Sequence, residues 1–176
     1  MIITMGEADA VRDATRPLID GKRLAEFIYG TVTGLVALGS TGAREADVIW
    51  WEAASRVVLG AGAVWVAHAY SELLSHRVVS GRPLALHELR ATLSGSWPIV
   101  MAGLLVAAPF VPAGLGVVSV GAATNVARAL GVTVLGLIGF YAEQTGEHRW
   151  GRRLVHAALA AGLGLAVVGA ELLVYH

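Results

Sequence analysis

Three residues on one stretch of the chain invite chemistry: His68, Glu72 and His76. A spacing of four places them along one face of a helix, with Ser71 and Ser75 beside them. All three fall in an apolar run from about Val57 to Val79. An ionisable side chain inside a membrane span costs at least about 2.5–3.5 kcal/mol at the bilayer centre, so each needs a partner or a task. Carboxylate oxygen and imidazole nitrogen are ligands for Fe(II), Mn(II) and Zn(II). Acid and histidine chains also relay protons through membranes. A third reading is a hydrogen-bonded network that fixes helix register, or a polar seam against another subunit. Glu26 falls at the same level of the first apolar stretch, as do Glu143 and His156 at the facing ends of the last two. The candidate metal ligands are Glu26, His68, Glu72 and His76. On its own face Glu72 has only His68 and His76 as cationic neighbours. It is expected to bond to one of them or to the first span, and to point away from lipid.

Other chemistry is poorly provided for. There are no cysteines, which excludes disulfides, thiolate metal sites and cysteine nucleophiles. No Ser/His/Asp order, phosphate loop or nucleotide fingerprint occurs, so neither catalytic nor cofactor-binding residues are expected and the chain does not read as an enzyme. A divalent metal is the one cofactor its donors admit. With 13 basic and 13 acidic residues the formal net charge is zero, and no whole-molecule field draws nucleic acid.

The elements that must hold these residues are membrane spans. Of 176 residues, 56% are hydrophobic and 15% charged, against roughly 25% charged in a soluble domain. Mean hydropathy is +0.65. Apolar blocks run over about 24–39, 57–79, 93–111, 126–142 and 154–175. A spanning helix needs about 20 mostly apolar residues, and backbone groups in lipid must be bonded internally. The expected fold is therefore an all-α integral membrane protein of five transmembrane helices, residues 24–176. Residues 1–23 are mixed in charge and read as a cytosolic lead-in, with an interfacial helix ended by Pro17. Trp50 and Trp51 sit where an aromatic belt would. Pro112–Asn125 reads as an interfacial bend, and Pro109 as a kink near Leu105.

Arginine and lysine placement orients the chain. With the N-terminus inside, the cytosolic segments hold Arg12, Arg16, Lys22, Arg23, Arg77, Arg82, Arg90, Arg149, Arg152 and Arg153, against Arg44, Arg56 and Arg128 outside. The C-terminus is then outside. Arg128 and Glu171 form a candidate pair at the outer ends of spans four and five. The basic set is almost all arginine and Asn125 is the only asparagine, a skew typical of GC-rich coding. It points to a bacterial source and hence the cytoplasmic (inner) membrane.

Small residues four apart recur: Gly30 and Gly34; Ala63, Ala67, Ser71 and Ser75; Gly162, Ala166 and Ala170, with Ala160 and Gly164 beside them. Such rows let helix backbones approach closely in lipid, within one bundle or across a seam with another protomer or subunit.

Several segments together resemble the vacuolar iron transporter (VIT) family. Residues 26–36, EFIYGTVTGLV, resemble its first-span pattern E-x-x-(F or L)-G-x-x-D-G-L-V. Ser71-Glu72-Leu73-Leu74-Ser75 is similar to the end of its second span, and Pro109-Phe110-Val111-Pro112 to its P-x-x-P ending of span three. Gly139 to Gly146, Arg152-Arg153 and an Ala/Gly-rich last span resemble its final hairpin. The resemblance implies five spans with a cytosolic N-terminus, and a homodimeric divalent metal (iron or manganese) transporter with a seam along Gly30 and Gly34. The departures are specific. The family's metal-path aspartate falls on Thr33, its second-span methionine on His68, and its Glu-rich cytosolic insert is reduced to Ser80–Thr92. A threonine hydroxyl brings no negative charge to a cation site. The expectation is thus a VIT-like accessory or regulatory subunit of a larger envelope transport complex, lipid transport included, with metal transport as the alternative.

Overall fold

The computed structural model describes residues 21–39, 49–81, 86–142 and 150–175. All its regular elements are helices: α1 (Gly21–Gly39), α2 (Trp50–Ser80), α3 (Leu86–Gly95), α4 (Trp97–Ala107), α5 (Phe110–Gly114), α6 (Val120–Ala142) and α7 (Trp150–Tyr175). The helices start three to seven residues before the apolar blocks do. Hydropathy marks where lipid begins, whereas a helix continues into its polar flanks. The expected lead-in loses Gly21, Lys22 and Arg23 to α1, and its Pro17-terminated helix lies outside the described residues. The expected bend at Pro112–Asn125 shrinks to Leu115–Ser119. There Gly116 takes φ 73°, and the Ser119 hydroxyl accepts the Ala122 N–H at 3.2 Å, capping α6.

Among the described residues, four segments are long and apolar enough to cross a membrane: Trp50–Val79, Leu86–Ala107, Val120–Tyr141 and Trp150–Ala170. The exception is α1, whose first turns carry Lys22, Arg23 and Glu26. Helix α1 packs against α2, α4, α6 and α7, which bury Glu26, while Lys22 and Arg23 lie exposed at its N-terminal end. Leu35, Leu38 and Thr31 on it are fully buried. Around α1 the core gathers Val57, Val106, Phe110, Ala127 and Leu135 from its partners.

Glycine sets these contacts. A Cβ at Gly30 would strike the Ile99 backbone and come within 2.9 Å of the Ala102 methyl, so α1 and α4 touch there backbone to backbone. A Cβ at Gly34 would lie 3.3 Å from the Val106 side chain, so this glycine too faces α4. These two glycines are thus taken up by α4 of the same chain. That corrects the dimer seam expected along them: α4 leaves no room for a second copy. In α7 the row Gly162, Ala166, Ala170 faces away from the chain; Gly162 has nothing within 4 Å, and both alanines are exposed. The close approach to α6 uses the opposite side of the helix, where a Cβ at Gly164 would come within 3.0 Å of Leu135 and 3.2 Å of Val132. A Cβ at Gly139 on α6 would strike the His156 carbonyl and come within 2.8 Å of the Ala160 methyl. In α2 the row Ala63, Ala67, Ser71, Ser75 is likewise exposed.

Two breaks interrupt the third apolar block. At Pro109 the chain turns between α4 and α5, with the Ala108 N–H bonding the Leu105 carbonyl at 3.3 Å in a tightened last turn. The other break, at Ser96, follows from Pro98. Its ring lacks an N–H and crowds the carbonyl four residues back, so a straight helix cannot pass through. The Trp65 indole N–H caps the Leu93 carbonyl at 3.2 Å and its ring meets Trp97 edge-on at 6.0 Å, holding the break in place.

Candidate functional site

Helices α1 and α2 cross so that Glu26 and Glu72 converge with His68, one ligand atom from each lying within 4.8 Å of the others. Glu26 is placed by the first turns of the central helix and is 4% exposed. Its Oε1 lies 3.7 Å from His68 Nε2. His68 Nε2 is also 4.0 Å from Glu72 Oε1. That nitrogen is itself buried and makes no hydrogen bond among the described residues. Two carboxylates and an imidazole nitrogen at such spacings form an O/N donor set suited to a first-row divalent cation. Around one ion bonded at about 2.0–2.2 Å the donor atoms would lie closer together than they do here.

Two further groups complete the site, and neither stood out in the sequence. Lys22, one turn before Glu26, puts its ammonium 2.6 Å from Glu72 Oε1 and 3.8 Å from Glu26 Oε1. The cation paired with Glu72 is thus a lysine from α1, where a histidine of its own face was one of the expected partners. The signal was present as the i, i+4 pair Lys22–Glu26, but Lys22 reads first as a charge that orients the chain. Ser96, at the Pro98 break, lies with its hydroxyl 3.5 Å from Glu72 Oε2 and 3.1 Å from the Thr92 carbonyl. Only the proline hinted that a polar residue would be released from a helix at this height.

His76, the fourth candidate ligand, lies apart from the trio. It is exposed and lines an open cavity of about 460 Å³ with Lys22, Glu72, Glu88 and Thr92. A second cavity, about 350 Å³, is lined by Lys22, Glu26, Tyr29, His68 and Glu72. Of the outlying candidates, the described His156 does not join the cluster. His156 bonds through Nδ1 to the Arg152 carbonyl at 2.9 Å within α7. Glu143 lies outside the described residues, as does the Glu171 side chain; Arg128 contacts Asn125 Oδ1 at 3.4 Å. Thr33 donates its hydroxyl to the Tyr29 carbonyl at 2.9 Å, an intrahelical bond that leaves its proton unavailable to the site.

Compared with known proteins, the chain matches no family model, no curated protein and no solved structure.

Proposed function

We propose that this chain is a VIT-like membrane protein that binds and moves a divalent cation through the Glu26–His68–Glu72 cluster. The observation that carries this reading is the convergence of three donors from two helices beside an open cavity. In this reading α1 is a fifth span, shielded by α2, α4, α6 and α7, and the Lys22–Glu72 end of the bundle faces the cytosol of a bacterial inner membrane. Glu26 is the fixed ligand, buried on the central helix. His68 and Glu72 are the ligands nearer the open side, and His76 is a way station in the outer cavity. The missing aspartate at Thr33 fits a site shifted toward the cytosol by about two turns. The test is Mn²⁺ uptake into proteoliposomes holding the purified protein. Uptake should fall about tenfold or more in Glu72→Ala and in Glu26→Gln. Equal uptake by Glu72→Ala would sink the reading.

A second reading is favoured by the outward rows of small residues on α2 and α7. Among the described residues, Ala63, Ala67, Ser71, Ser75, Ala166 and Ala170 are exposed, and a Cβ at Gly162 would meet open space. They suit an accessory subunit docked against helices of a larger envelope complex, a lipid transporter among the candidates, or a homodimer. Purification of the tagged native protein separates these: other membrane subunits co-purify in the first case, and only a second copy in the other.

A further inference from the structure

Lys22 is the one group common to both cavities besides Glu72. Its ammonium contacts both carboxylates of the cluster. Its side chain is 56% exposed, whereas Glu26 beneath it is 4% exposed. The geometry is that of a flexible positive arm laid over a rigid, buried negative group. We infer that Lys22 is a tethered counter-ion which occupies the position of the divalent cation and must swing into the outer cavity before the ion can enter. This rests on the cation reading of the cluster and adds to it a mechanism of control.

Glu26 and Glu72 as carboxylates carry two negative charges, and Lys22 supplies one positive. A divalent ion in the same place cancels both charges alone. An ammonium left beside the neutralised cluster would lose its net attraction and become the uncompensated charge. Lysine suits the task better than arginine. Its compact charge rides on a long flexible stem that lies along apolar surface while the head reaches water. The outer cavity, about 460 Å³, has space for the displaced head, with Glu88 on its wall to receive it. Lys22 and Glu72 line both cavities, so the pair stands where the two adjoin, and its ammonium competes with the ion for the same carboxylates.

The experiment is Mn²⁺ binding to the full chain in nanodiscs, followed by the loss of the free-ion paramagnetic signal. Lys22→Met removes the competing charge and keeps the stem, and should bind Mn²⁺ about tenfold more tightly than the parent protein. Lys22→Arg, whose fork holds carboxylates bidentately, should bind it several-fold more weakly. Unchanged or weaker binding by Lys22→Met overturns the lysine's role while leaving the cation site intact. If Lys22→Met does not fold, Lys22→Arg decides: binding equal to the parent overturns the proposal. Mn²⁺ binding by neither the parent nor Lys22→Met overturns the cation reading itself, and this inference with it.

Discussion

Lys22 Nζ on the central helix lies 2.6 Å from Glu72 Oε1 on α2. The contact ties two helices through an ion pair that also touches Glu26. An internal counter-ion of this kind lets carboxylates persist at the edge of an apolar bundle, where an uncompensated charge costs several kcal/mol.

Replacing Glu72 separates charge from packing. Gln retains hydrogen-bonding atoms for Lys22 and Ser96, whereas Leu strips both of a partner. Glu72→Leu should be less stable than Glu72→Gln by about 1–2 kcal/mol, read from thermal unfolding in one detergent. Equal melting temperatures would show that Glu72 is not part of an internal polar seam.

Glycine substitutions should sort by what a methyl meets. Gly30→Ala would drive a Cβ into the Ile99 backbone, and overpacking of this kind costs about 1–3 kcal/mol. Gly162→Ala meets open space and should leave the monomer's stability unchanged or raised by up to about 1 kcal/mol, which is what the helix propensity gain allows. Comparable losses for both would contradict the α1–α4 contact described above.

The helix break at Ser96 depends on its cap. Trp65→Phe keeps an aromatic ring against Trp97 but removes the donor to the Leu93 carbonyl. The expected loss is about 0.5–1.5 kcal/mol, measurable as a lowered unfolding midpoint. An unchanged midpoint would mean that the carbonyl finds another donor.

Much of this arrangement was legible in the chain itself. Apolar blocks located the helices, and the spacing of His68 and Glu72 with the level of Glu26 located the cluster. Other features were not, for physical reasons. Hydropathy reports composition, so the charges Lys22, Arg23 and Glu26 keep α1 out of the set of apolar spans even though it is central: its neighbours bury Glu26, while Lys22 and Arg23 stay exposed at its end. A row of small residues reveals spacing, but not which side of the helix meets a neighbour. Gly30 and Gly34 face α4, while Gly162, Ala166 and Ala170 face outward and Gly164 does the packing. Ser96 reaches Glu72 only because Pro98 breaks the helix, a consequence of three-dimensional register that no local pattern encodes.

The most direct test of the central claim is anomalous scattering from crystals of the protein grown with Mn²⁺. The account predicts one peak bonded by Glu26, His68 Nε2 and Glu72 at about 2.0–2.2 Å, with the Lys22 ammonium moved away from both carboxylates. A peak confined to the outer cavity beside His76 and Glu88, or no bound manganese with Lys22 still on Glu72, would contradict it.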